Sequence, residues 1–278
     1  MSYELIHTGL LQGLILALIA LGIMIPFRLL KFQDLSVEAA YPLGGAVCAC
    51  ILQAGLAQMI AIFAGIIAGG MVSLATSQVA FKLKLNTLLA GIIVSTMVYS
   101  LNLRLMQKPN IALFGADLGS INIGLALLIL IILLFLSFFY LFLHTDFGLR
   151  FRAVGQNPKL SNNYGIHQNR YTSLGLFLAG GLFGLAGSLM VQIQQFMDVG
   201  MGVGIVIHGL ASLMLGEALL GNSNLGLQLM SPVIGSLMYQ QIQGFALSLG
   251  LAPSDLKFFT GFIVLLILSL KREGNYAC

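Results

Sequence analysis

The chain has 278 residues, of which 58% are hydrophobic and only 8% charged, with a formal net charge of +4 and a mean hydropathy of +0.98. A soluble globular domain carries about a quarter of its residues charged, so this composition excludes one and describes a membrane protein. The expected fold is all-α: a polytopic membrane protein of roughly eight to ten transmembrane helices, some broken or re-entrant, forming one transmembrane domain over the whole chain.

In chain order, the first apolar span runs from about Leu5 to Ile25 and is expected to end at Pro26, with Arg28 and Lys31 marking a membrane face. Met1 to His7 lack the basic region and small-residue cleavage site of a signal peptide, so the first span is expected to stay. No formally charged residue occurs between Glu38 and Lys82. That stretch holds spans at about 37–56 and 59–79, joined by a tight turn over Gln53–Gln58. A fourth span covers about 85–105, a polar connection 107–122, and a fifth span 123–143. A basic loop over residues 144–172 follows. Then come a sixth span at about 173–192, a Gly-rich seventh at 202–220, an eighth at 225–249 that Pro232 should kink or break, and a last at 257–270.

Lys and Arg accumulate on cytoplasmic loops, and their distribution sets orientation. Counting about nine crossings with the C-terminus inside, Arg28, Lys31, Lys82, Lys84, Arg150, Arg152, Lys159, Arg170, Lys271 and Arg272 fall in the cytoplasm. Only Arg104, Lys108 and Lys257 fall outside. The basic loop is therefore cytoplasmic, and no basic platform interleaved with aromatics points to nucleic acid. Cys48 and Cys50 lie two apart on different sides of a helix, which makes them poor joint metal ligands, so no metal is expected.

The loop carries Arg150, Arg152, Lys159 and Arg170 against a single carboxylate, Asp146. Its middle reads as a short helix over Leu149–Val154, capped at its C-terminus by Gly155 and restarted at Pro158. By charge alone it could be a plain solvated loop. The pattern Gly148-Leu149-Arg150, Arg152-Ala153, Gly155 and Asn157, followed by Gly165-Ile166, resembles the coupling loop of bacterial ATP-binding-cassette (ABC) importer permeases of the branched-chain amino acid and ribose branch. Within it, the permeases that work with type-1 periplasmic binding proteins are the most similar. Further matching stretches are Phe32, Asp34-Leu35-Ser36-Val37 with Pro42-Leu43-Gly44; Leu85-Asn86 with Leu88-Leu89-Ala90-Gly91-Ile92; and Asp198 to Gly202 with Gly209-Leu210-Ala211-Ser212 and Gly216-Glu217.

The resemblance implies a non-enzymatic transport subunit in the bacterial inner membrane, paired with a second permease copy as a homodimer. Its partners would be separate ABC ATPase subunits and a periplasmic substrate-binding protein. No cofactor is expected on this chain, ATP and Mg²⁺ belonging to the ATPase; the chain has no Gly-Lys pair and hence no phosphate loop. The solute implied is small and polar, best an amino acid or related compound. A secondary ion-coupled carrier or a channel is the alternative, to which a Gly-stopped basic plug would be of no use.

Polar groups within apolar spans are expensive and are functional candidates. Asp34, Ser36 and Glu38 precede the second span, where the resemblance puts them near the translocation path; Ser36 also reads as a helix cap with Glu38 in the first turn. Gln192, Gln195 and Asp198, with Gln194, end the sixth span as a gate or as an interfacial polar cap. His208 lies mid-span, as a hydrogen-bonded neutral imidazole or a proton relay. Glu217 either snorkels to the interface or braces an arginine of the loop. Asn102 and the glutamines Gln240, Gln241 and Gln243 line the path or bond between helices. Gly65 with Gly69, and Gly180 with Gly184 and Gly187, are close-approach faces. Phe32-x-Asp34 followed by Gly45 and Phe196-x-Asp198 followed by Gly209 form a faint repeat, expected at opposite membrane faces.

Overall fold

A computed structural model describes residues 3–114, 123–221 and 224–248, together with 250, 255, 258, 261 and 262. The span expected at 257–270 lies almost entirely outside the described residues. Six helices among those described are long and apolar enough to cross a membrane. Two compact units emerge: one of Met1–Leu21, Gly124–Tyr140 and Ile207–Cys278, the other of Gly22–Ile123 and Leu141–Val206.

Helix α1 (Tyr3–Met24) is apolar on every side, and Ala17, Leu18, Ile19 and Ala20 are at most 1% exposed. A helix hydrophobic all round belongs in an interior. The α-helix ends at Met24, just before Pro26, as expected. The chain widens into a π-helical turn, Ile25–Leu29, whose longer bonds dispense with the N–H that proline lacks; the Leu30 N–H donates to the Ile25 carbonyl at 3.1 Å. Lys31 then turns the chain through the left-handed region, at φ 53°.

In the second unit, α2 (Val37–Gln53), α3 (Gln58–Lys82) and α8 (Gln168–Gln194) pack against one another. Lipid offers no hydrophobic drive for helix pairing, so small residues that let backbones touch supply it. A Cβ on Gly184 would strike the Gly65 carbonyl, and one on Gly180 the Gly69 carbonyl. The close-approach faces expected from sequence thus meet each other. Ser77 donates to Ser173 Oγ at 2.9 Å, and Ser188 to the Gly44 carbonyl at 3.2 Å. On its outer face α3 leaves Ile60 54%, Phe63 60%, Ile67 57% and Met71 55% exposed, a stripe for acyl chains.

Helix α4 (Thr87–Met106) starts on an Asn86 cap, whose side chain accepts from the Leu88 N–H. It leads to β1 (Asn110–Ala112), which pairs antiparallel with β2 (Phe196–Asp198), Ile111 opposite Met197. Phe32 packs edge-on against Phe81 near the C-terminus of α3. That end of the unit, with Arg28, Lys31 and Lys82, is the basic one. The β1–β2 ladder marks the other, where the Gln53 amide donates to the Ala112 carbonyl at 3.3 Å.

After α5 (Leu125–His144) come the short helices α6 (Asp146–Gln156) and α7 (Pro158–Asn163). A 3₁₀ turn, Val199–Gly202, precedes α9 (Ile205–Leu220). In the first unit, α10 (Leu225–Ser248) runs unbroken through Pro232. Proline removes a single N–H bond there, from the Gln228 carbonyl, and the helix is carried past it; beside it Ser231 Oγ donates to the Leu227 carbonyl at 2.8 Å. Gly235 and Gly216 bring α9 and α10 into backbone contact at the Ser212 and Ser231 carbonyls.

Candidate functional site

The basic elbow is built by its glycines. Thr145 caps α6, its Oγ1 accepting from the Gly148 N–H at 3.2 Å and donating to the Phe142 carbonyl at 2.6 Å. The buried face of α6 is Gly148, Phe151, Val154 and Gly155. A Cβ on Gly148 would collide with the Phe142 carbonyl, and one on Gly155 with the Leu29 carbonyl. Gly155 is therefore not the helix stop expected from sequence. The helix continues through it to Gln156, and glycine is required there because α6 lies directly on the π turn. Asn157 ends α6 and caps α7, accepting from the Leu160 N–H at 3.1 Å, with Pro158 in the first turn as expected.

With that face seated, Leu149 and Arg150 are exposed, as is Lys159 beyond them, while Arg152 and Ala153 are half-buried. Gly165 closes the elbow at φ 75°, and the half-buried Ile166 donates to the Ser161 carbonyl at 3.0 Å. A cavity of about 430 Å³ beside the elbow is lined by Arg150, His167, Arg170, Phe147, Tyr164 and Tyr171 among others. The result is a basic, aromatic-edged knob on a rigid seat.

A second group of residues sits where the chain enters α2 and α9. Asp34 Oδ1 accepts from the Ser36 N–H at 2.8 Å, and Asp198 Oδ1 accepts from the Gly200 N–H at 2.6 Å. Both Phe-x-Asp motifs thus make the same turn ahead of a helix. Asp34 lies toward the basic end of the unit, and Asp198 lies in the ladder toward the other. Ser36 occupies the cap position of α2 without a side-chain cap bond. Its backbone is already helical, and its hydroxyl instead bonds Ser73 at 3.0 Å. Capping falls to Asp34. Glu38 reaches across, its Oε1 accepting from the Gly204 N–H at 3.1 Å, so the N-termini of α2 and α9 are joined by one carboxylate.

Gln192 is buried, and its amide is saturated. Its Oε1 accepts from Gln58 at 2.7 Å, while its Nε2 donates to the Ser188 carbonyl at 3.2 Å and lies 3.3 Å from the Cys48 sulfur. Gln195, at φ 63°, donates to the Gln192 carbonyl at 2.7 Å. In the first unit His208 Nδ1 is 2.8 Å from the Tyr239 hydroxyl and 3.4 Å from Gln243. Glu217 in α9 is buried at 4% exposure.

Beside Glu38 lies a cavity of about 320 Å³ between α2, α4 and the 3₁₀ turn. Ser95, Thr96, Tyr99 and Asn102 of α4 line it. Sequence reading singled out Asn102 and passed over the other three, although their spacing of three and four residues marks one helix face.

These features can be set against known proteins. The chain matches the family described as branched-chain amino acid transport system permease components over residues 5–268. It belongs to that family. The permease is 34% identical over 264 residues to the tyrosine transport system permease protein of Clostridioides difficile, covering 93% of this chain and 88% of that one. It is also 34% identical to an uncharacterised protein of Rickettsia prowazekii, over 97% of this chain and 99% of the other. The nucleoside ABC transporter permease protein NupB of Lactococcus lactis is 29% identical over 54% of this chain and 40% of its own length. No solved structure matches. The permease is thus, by its family, a multi-pass inner-membrane transport protein, with which the six long apolar helices among the described residues agree.

Proposed function

We propose that this permease is the gate subunit of an ATP-driven importer for a small polar solute, best an amino acid or related compound. Two copies would form the gate, a periplasmic binding protein would deliver the solute, and separate ATPase subunits would hold ATP and Mg²⁺. The reading is carried by one observation: α6 is seated on backbone through Gly148 and Gly155 while Leu149 and Arg150 are exposed and Arg152 is half-buried. A knob held this way passes on a push instead of absorbing it. ATPase closure would move the knob, and the gate would switch as a bistable rigid body. The substrate class is supported by the likeness to a permease named for tyrosine transport. Glu217 is assigned to brace an arginine of the coupling loop, its burial at 4% exposure fitting that role better than a snorkelling one.

The test is co-purification. The chain should bring down its ATPase, and Arg152→Glu should abolish stimulation of ATP hydrolysis by solute-loaded binding protein. Uptake in vesicles driven by a proton gradient without ATP would overturn the proposal in favour of a secondary carrier.

A further inference from the structure

The cavity beside Glu38 has a one-sided chemistry. Ser95 Oγ donates its proton to the Gly91 carbonyl at 2.6 Å, and Thr96 Oγ1 donates to the Ile93 carbonyl at 2.8 Å. Each hydroxyl has given its only hydrogen to its own helix and keeps lone pairs alone for the cavity. Glu38 adds a carboxylate held by a single backbone N–H. Among the described residues lining the cavity none is Lys, Arg or His, and the remaining wall is largely aliphatic. Tyr99, half-exposed, supplies the polar hydrogen, while Asn102 stands behind the wall at 1% exposure. Both amide atoms of Asn102 are buried without a hydrogen-bond partner in the structure.

We infer that this cavity is a recognition site for the ammonium group of the transported solute, with Glu38 as counter-charge and Ser95 and Thr96 as neutral acceptors. Glu38 is half-buried at this cavity and has no ion pair among the described residues, so an ammonium bound there supplies its counter-charge. Tyr99 then serves the solute's other polar end. A volume of about 320 Å³ is at the small end of ligand sites and suits a single amino-acid-sized molecule. The acceptor-rich wall repels solutes whose only charge is negative. This assignment rests on the importer reading and narrows its substrate class to amine-bearing solutes.

The experiment uses the full chain, purified with its ATPase in lipid nanodiscs and carrying Ile92→Cys, at a lining position with no polar role, as a reporter. Alkylation of the introduced thiol is followed by peptide mass spectrometry, which separates it from the native cysteines. Three probes share a phenol ring: tyramine with an ammonium only, L-tyrosine with both charges, and 3-(4-hydroxyphenyl)propionate with a carboxylate only. Tyramine and tyrosine should protect the thiol at concentrations lower than the acid by a factor on the order of ten, the scale of one charge-assisted hydrogen bond. Glu38→Gln, which keeps an oxygen for the Gly204 N–H, should erase that preference. Equal protection by the acid, protection by none of the three, or a preference that survives Glu38→Gln would each overturn the assignment. Whether the ATPase co-purifies is read on the same preparation. Its absence would sink the importer reading and leave the labelling order to decide the cavity.

Discussion

Gly155→Ala tests the seat of the elbow. On helix propensity alone the change should stabilise α6 by about 0.8–1 kcal/mol, since alanine loses less backbone freedom. Packing opposes this. The new Cβ would overlap the Leu29 carbonyl oxygen, with the Leu29 carbonyl carbon at 2.6 Å and Leu30 Cα at 3.0 Å. These are backbone atoms that cannot rotate aside, so α6 must lift by roughly 1–2 Å, the scale of the helix shifts by which packed interfaces switch state. Overpacking costs about 1–3 kcal/mol, so the net loss of stability is about 0–2 kcal/mol. Coupling should suffer far more than folding. We expect a small drop in melting temperature, continued co-purification of the ATPase, and loss of the stimulation of ATP hydrolysis by solute-loaded binding protein. Full stimulation and uptake with unchanged melting would refute the idea that α6 works through this contact.

Asn102→Leu should raise thermal stability by about 1–3 kcal/mol by removing a buried amide without partners, while uptake falls; a destabilised protein would mean the amide has a structural role. Gln192→Leu should cost about 1–3 kcal/mol, because Gln58 loses its acceptor, and an unchanged unfolding temperature would count against that. Gly184→Ala should separate α3 from α8 at the Gly65 carbonyl and lower the yield of monodisperse protein on size exclusion; a normal profile would show that the helices tolerate the extra methyl group. Lys31→Gly relieves a left-handed conformation worth about 1–2 kcal/mol, so melting should hold or rise while uptake drops, and unimpaired uptake would argue against a stiff connection there.

Charge and hydropathy made the membrane architecture readable, because few residues break the apolar runs and those few mark the faces. The elbow was readable as a motif but not as a joint. Nothing local distinguishes a glycine that stops a helix from one that lets it lie on a carbonyl, and Gly155 is the second kind. Pro232 does not break its span, because a proline removes only one N–H bond and α10 runs on through it. Gln192 read as part of a gate or of an interfacial polar cap. Its partners Gln58, Ser188 and Cys48 come mostly from other helices, and only the packed unit brings them together. In α4, Ser95, Thr96 and Tyr99 were overlooked because none of them is charged, and only their shared face gives them meaning.

On the proposed coupling, the placement of α6 on Leu29 would shorten the route from motor to gate. A few residues past the point of contact the same stretch of backbone reaches Asp34, and then Glu38, which accepts from the Gly204 N–H. A push on α6 would then need no long relay of side chains. It would meet a short transmission with little slack, whose gearing depends on how stiffly residues 29 to 38 hold their course.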